Sequence, residues 1–159
     1  MVLLSIFILY IHSTREIETR VSSILSVSIY SHRAIKEVVV GSGSGEGVLF
    51  YHLNGTEIGS VETNNQPVYS MVRTMSRLVY GAGTEVGVIN VATKRHHAHC
   101  PGTTSEIRSV AFDIAAPSMI HAGTMNGEVL VFDTRAGSSG STPMTKKSGR
   151  GKFPCKRKN

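Results

Sequence analysis

The stretch 119–133, MIHAGTMNGEVLVFD, decides the fold expected of this chain. An apolar run, 119–123, ends at Gly123; a polar turn around Asn126-Gly127 follows; a second apolar run, 129–132, leaves it. Two short apolar runs hinged on an Asn-Gly turn predict a β-hairpin, because Asn and Gly tolerate the left-handed backbone that tight turns need. The pattern has counterparts upstream at a spacing of 40 residues: Val40, Tyr80 and Ile120 align, as do Gly43, Gly83 and Gly123, and Gly47, Gly87 and Gly127. Self-similarity at such a period predicts one supersecondary unit per period, stacked on its neighbours.

Working outward, each unit holds three clear strands. The first set is 24–30 (ILSVSIY), 68–72 (VYSMV) and 107–112 (IRSVAF), alternating apolar with small or polar residues. The second is 37–41 (EVVVG), 78–81 (LVYG) and 119–123, rich in β-branched residues. The third is 48–53 (VLFYHL), 86–91 (VGVINV) and 129–132. Polar fourth strands are expected at 57–62 (EIGSVE) and 94–100 (KRHHAHC), since a sheet edge is commonly blunted with charge. From Ala136 onward Gly, Ser, Thr and Lys dominate without periodicity, which predicts a disordered tail.

At 159 residues, 40% apolar and near zero mean hydropathy, the chain has the composition of a globular protein. Its net charge of +6 is unevenly placed: the eleven Asp and Glu all precede residue 146, whereas seven of the 17 Lys and Arg follow residue 145. A near-neutral body with a basic appendage suggests a tethered electrostatic contact or an import signal rather than a basic binding face. Lys146, Lys147, Arg150, Lys152, Lys156, Arg157 and Lys158 carry that charge, and would reach nucleic acid or an anionic surface through phosphate contacts. Cys100 and Cys155, the two cysteines, do not form the framework of a small disulfide-rich domain, so a cytoplasmic or nuclear location is expected. The apolar segment 1–11 (MVLLSIFILYI) has neither the basic flank of a signal peptide nor the length of about 20 residues that a bilayer span takes, so no stable membrane insertion is expected.

The last unit resembles the WD40-repeat family: Ser109-Val110-Ala111-Phe112-Asp113, Ala122-Gly123-Thr124, Asn126-Gly127 and Val131-Phe132-Asp133 read like that repeat, with Phe132-Asp133 where the family has Trp-Asp. Upstream the corresponding pairs are His52-Leu53 and Ala92-Thr93. The resemblance implies an all-β, WD40-type β-propeller, partial here, with about three four-stranded antiparallel blades over 21–135, a possible strand of a preceding blade or non-native start at 1–20, and the basic tail at 136–159. A closed propeller has about four to eight blades, so the chain reads as a fragment of a larger one or as an arc closed by oligomerisation. The function it implies is a non-enzymatic scaffold that binds other proteins. A narrower alternative is a substrate receptor of a cullin-RING ubiquitin ligase. The stretch 119–135 is similar to the docking box of such receptors, in which Asp133, Arg135 and Asn126 would contact the partner.

Other chemistry is weaker. The run 41–47 (GSGSGEG) suggests a phosphate-binding loop, but it lacks the Lys-Ser/Thr and the following helix, and its glycines recur as turn glycines. His96, His97, His99 and Cys100 are the densest set of metal-ligand types, with no second pair to complete a tetrahedral site. No Gly-x-Ser-x-Gly elbow is present, and the two aspartates, Asp113 and Asp133, have turn and repeat roles. No enzyme, metal or cofactor is expected.

Overall fold

A computed structural model describes residues 2–8, 13–19, 22–32, 35–100, 103–113, 115–116, 118–134, 152–154 and 156–157. The described elements are strands, joined by turns and bends. Among the described residues no helix is long and apolar enough to cross a membrane, which leaves spanning by strands unaddressed. The chain divides into two compact units, Met1–Val68 and Tyr69–Asn159.

In the first unit β1 (Val2–Ile8) and β2 (Ser13–Thr19) pair antiparallel as a two-stranded sheet. The main sheet runs in chain order through β3 (Ile24–His32), β4 (Ile35–Ser42), β5 (Val48–His52) and β6 (Glu57–Val61). The central strands β4 and β5 are nearly continuous apolar runs because both of their faces are covered: Val38, Val39, Val40, Leu49 and Phe50 have no solvent exposure. Val38, Val40, Leu49 and Tyr51 form one apolar cluster, in which Val38 stands across from Tyr51 and Val40 from Leu49. The β5–β6 turn follows the local chemistry of Asn54 and Gly55. Asn54 Oδ1 accepts from Thr56 N at 3.1 Å, and Gly55 takes φ +91°.

The second unit holds β7 (Val68–Arg73, whose first residue, Val68, belongs to the first unit), β8 (Arg77–Ala82), β9 (Glu85–Asn90) and β10 (Arg95–Cys100) in one sheet, and β11 (Ile107–Phe112), β12 (Met119–Thr124) and β13 (Val129–Asp133) in another. Their shared core joins Val79, Val86, Val88, Ala98 and Cys100 from the first sheet to Ile107, Val110, Ile120, Ala122, Leu130 and Phe132 from the second. β8 and β11 approach closely because Gly81 has no side chain; a methyl group there would run into Ile107 and Val110.

Two further strands complete these sheets. β14 (Lys152–Pro154) pairs parallel with β13, and β15 (Lys156–Arg157) pairs antiparallel with β10. Part of the tail expected to be disordered is therefore held in backbone ladders.

The expected architecture of about three four-stranded antiparallel propeller blades is overturned. The fold is all-β, but its sheets are open and do not close into a propeller. The sheet containing β8 has five strands, and the one containing β12 has three antiparallel strands plus a parallel one. The 40-residue glycine register also fails as a structural repeat. Gly43 lies in a bend after β4, Gly83 in a turn at φ +53°, and Gly123 inside β12. Gly47 precedes β5 at φ +103°, whereas Gly87 lies inside β9 with the Tyr80 ring across the space a side chain would take. Equal spacing arose from hairpins of unequal length: Ser42 N bonds Gly47 O across one turn, while Ala82 stands directly across from Glu85 in the next hairpin.

Candidate interaction surface

The sheet of the first unit is covered in its centre and open at β3. Across one face, Val27 stands opposite the buried Val40 and Ile29 opposite the buried Val38. Directly opposed residues of an antiparallel pair share a face, so one apolar layer runs from the core outward to the edge strand. At that edge it emerges into solvent: Leu25, Val27 and Ile29 are 47%, 41% and 48% exposed. The alternate residues are held on the other side, where Ser26 Oγ donates to the Val68 carbonyl at 3.0 Å and fills the space left by Gly41. A register shift between Ile24 and Ser26 re-aims Leu25 at the start of the stripe.

Among the described residues β3 has one neighbour, β4, so its outer rim presents backbone N–H and C=O groups in a row. From 24 to 31 it carries no charged residue. At the far edge of the same sheet, β6 carries Glu57 and is followed by Glu62, the charged blunting expected of a strand that stays unpaired. Alternation in 24–30 predicts an inner strand of its sheet, its apolar half turned to the core. It did not reveal that the apolar half of the alternation is the exposed half, because periodicity gives two faces and not which of them is covered.

Above the start of β3 the glycine–serine run holds an anion after all, namely its own side chain. The Glu46 carboxylate accepts from Ser42 Oγ, from Ser44 Oγ at 3.2 Å and from Ser22 Oγ at 3.4 Å. The Ser42 hydroxyl chiefly, aided by the other donors, lowers the Glu46 pKa to about 2 despite some desolvation. This internal carboxylate explains physically why the loop suits no phosphate: the anion position is filled and negatively charged. Beside it a recess of ≈ 440 Å³ is lined by Gly45, Glu46, Ser60, Glu62, Asn64 and Asn65, the two asparagines in the left-handed region at φ 52° and 57°. Because Glu46 is depressed below its ordinary value of 4.5, the stabilisation it gives this turn is fully present above pH about 4.5 and is lost as pH falls toward 2. An NMR titration should show the Glu46 carboxyl midpoint near 2, rising to the ordinary glutamate range in Ser42→Ala.

The sequence-predicted contact residues belong to the second unit or lie outside the described residues. Asn126 is exposed in the β12–β13 turn. Asp133 ends β13, across from Met119 of β12 and Pro154 of β14. Arg135, Lys146, Lys147, Arg150 and Lys158 lie outside the described residues. Lys152 belongs to β14 and Lys156 and Arg157 to β15. Asp113 serves its own turn, Oδ1 accepting from Ala115 N at 2.9 Å and Ala116 N at 3.2 Å, with His121 Nε2 3.9 Å from Oδ2.

His96 and His97 of the histidine run lie in β10. His96 Nδ1 lies 3.4 Å from the hydroxyl of Tyr80, whose burial, together with the charge of Glu85, pushes its pKa upward. Among the described residues no three His, Cys, Asp or Glu side chains converge as a metal site. Cys100 is fully buried and disulfide-bonded, a feature that two cysteines far apart in sequence gave no sign of.

Comparison with known proteins fits this architecture and not the expected family. No protein-family model matches the chain, and no curated protein matches it. Among solved structures it is similar to the computationally designed Ika4 protein, at 21% identity and a TM-score of 0.63 over 75% of this chain and 71% of that one. It is also similar to the computationally designed Ika8 protein, at 16% identity and a TM-score of 0.67 over 89% of this chain and 48% of that one. The chain thus spans about half the length of Ika8. At such identities the likeness is one of fold alone.

The WD40 assignment is therefore withdrawn, and with it the WD40 scaffold and the cullin-RING receptor, which rested on that family's motifs. The basic tail as a free phosphate-binding arm is withdrawn as well, because Lys152, Lys156 and Arg157 lie in strands paired with β13 and β10.

Proposed function

We propose that this chain is a protein-association module that docks through β3, and that the partner seated there is a second copy of the same chain. The observation that carries it is the uncharged edge strand whose Leu25, Val27 and Ile29 stand about half exposed on one face. An unpaired edge with alternating apolar side chains is a template for strand addition: main-chain bonds supply affinity, and alternate side chains supply fit. A second copy suits it because a neutral strand meets no repulsion from itself, and antiparallel β3-to-β3 pairing is self-complementary about a two-fold axis.

Magnitudes place the association in the weak range. Burying the exposed half of three aliphatic side chains on each copy contributes about 6 kcal/mol in total, at about 1 kcal/mol per half-buried side chain. About four edge hydrogen bonds at about 1 kcal/mol each add about 4 kcal/mol, and association costs at least about 4 kcal/mol. A Kd of roughly 10 to 100 µM is expected. Sedimentation equilibrium should therefore show a monomer–dimer equilibrium in that range. Val27→Lys, which sets two ammonium groups near each other across the axis, should shift it to monomer while leaving the melting temperature within about 3 °C of the parent, as befits an exposed position. A parent chain that sediments as monomer at about 1 mM would sink the proposal.

A further inference from the structure

The turn that follows β12 places a methionine sulfur against a guanidinium. Met125, 66% exposed, sits in that turn, and its N–H donates to the Glu106 carbonyl at 2.8 Å, which fixes it beside the residue just ahead of β11. The turn is closed on itself, Thr124 N donating to Glu128 O at 2.9 Å and Gly127 N to Thr124 O at 3.0 Å. On β11, Arg108 is held from two sides: its Cζ lies 3.9 Å from the centre of the Tyr69 ring, and its Nη2 donates to Glu106 Oε2 at 2.5 Å. Stacking and pairing of this kind keep a planar guanidinium in one orientation. The same Nη2 stands 3.5 Å from Met125 Sδ. It carries two hydrogens, so the ion pair with Glu106 leaves one for the sulfur.

We propose that Met125 is an oxidation site for small hydroperoxides, and that Arg108 holds the sulfoxide oxygen once it forms. A thioether sulfur is a weak acceptor, whereas a sulfoxide is polar and presents an oxygen to the waiting donor. In the oxidation step a lone pair of Sδ attacks the terminal oxygen of the hydroperoxide; the S–O bond forms and the O–O bond breaks. The leaving oxygen carries off the electron pair and takes the hydroxyl proton. The sulfur is thereby oxidised by two electrons, and the hydroperoxide is reduced to an alcohol, or to water when it is hydrogen peroxide. The weak contact to Nη2 becomes a charge-assisted bond, about twice as strong as a neutral one. Methionine oxidation commonly disrupts apolar packing, but Met125 lies outside the buried core, so here the added oxygen ties the turn to β11. All four residues lie in the second unit, and nothing in the proposal depends on how β3 is used.

The test takes the full chain, isotope-labelled in its methionine methyl groups, and treats it with a limiting dose of hydrogen peroxide. Peptide mapping should show Met125 oxidised ahead of the partly buried Met71 and Met119, together with Met75, which matches it in exposure at 65%. Methyl NMR then separates the two sulfur epimers. At Met125 they should be unequal by at least about threefold, because the guanidinium draws one lone pair toward itself, while at Met75 they should be near equal. Arg108→Gln, at an exposed position, should make the Met125 epimers near equal too. Oxidation of the parent should also slow exchange of the Arg108 guanidinium protons by at least about threefold. Equal Met125 epimers in the parent, or an inequality that persists in Arg108→Gln, would overturn the capture. So would guanidinium exchange left unchanged by oxidation, a comparison that involves no substitution and stands even if Arg108→Gln does not fold. Met125 lagging behind Met71 or Met119 would overturn the oxidation site itself.

Discussion

Phe132→Ala should lower the stability of the second unit by about 3 to 5 kcal/mol, the cost of removing a large aromatic side chain from a site that cannot collapse. Phe132 has no solvent exposure, sits in β13 across from Ile120, and is packed in the core that joins the two sheets of this unit. Its surroundings, Val79, Val88, Ile107 and Leu130 among them, lie on strands fixed by their own ladders, so they move little into the void. Small domains are stable by only about 5 to 15 kcal/mol, so the loss is a large share of the total. Urea denaturation followed by a probe of the second unit reads it directly. A drop under about 1 kcal/mol would mean that the core between these sheets is loose, and that the covering of β12 and β13 comes from elsewhere.

Gly47→Ala should cost about 3 kcal/mol or more in the first unit, and Gly55→Ala only about 1 to 2 kcal/mol, although both glycines hold positive φ. The backbone angles are close, +103° at Gly47 and +91° at Gly55, so the penalty for placing an L side chain in that region is similar at the two sites. The difference lies in the space. At Gly47 an added methyl group runs into the backbone carbonyl of Val61 on β6, and a backbone oxygen in a ladder cannot swing away. At Gly55 it meets nothing within 4 Å. Melting curves of the two variants side by side separate backbone strain from collision. Equal losses would show that the β5–β6 approach at Gly47 is less close than described.

Much of the local structure was legible in the residues. The runs 24–30, 78–81, 107–112 and 119–123 lie within β3, β8, β11 and β12, because alternation and β-branched content report strand formation through local sterics. The polar fourth strands at 57–62 and 94–100 appear as β6 and β10. The glycine spacing misled because a glycine is needed for several different reasons. Gly47 and Gly127 serve positive φ, whereas Gly81 and Gly87 make room for Ile107 and for the ring of Tyr80. A recurring letter therefore did not mark a recurring position.

The candidate surface was less legible than the strands. Leu25, Val27 and Ile29 look in sequence like the core-facing half of an inner strand, and Glu46 looks like one polar residue in a loop. Which half is exposed depends on what packs over β3, and the capture of Glu46, made chiefly by Ser42, depends on how the turn brings the Ser42 and Ser44 hydroxyls onto the carboxylate. The tail shows the same limit. Composition reports that Lys152, Lys156 and Arg157 cannot build a core of their own, but it cannot report that a finished sheet offers them an edge to pair with.

By itself, then, the sequence determined that this chain is all-β and where the strands and turns between 24 and 133 run, since those depend on steric and hydrogen-bonding preferences of adjacent residues. Only the tertiary structure decided how many strands each sheet holds, which apolar face stays open at β3, and which edge the tail covers. Those outcomes rest on contacts between residues far apart in the chain, whose energies are set by what surrounds each group rather than by the order of its neighbours.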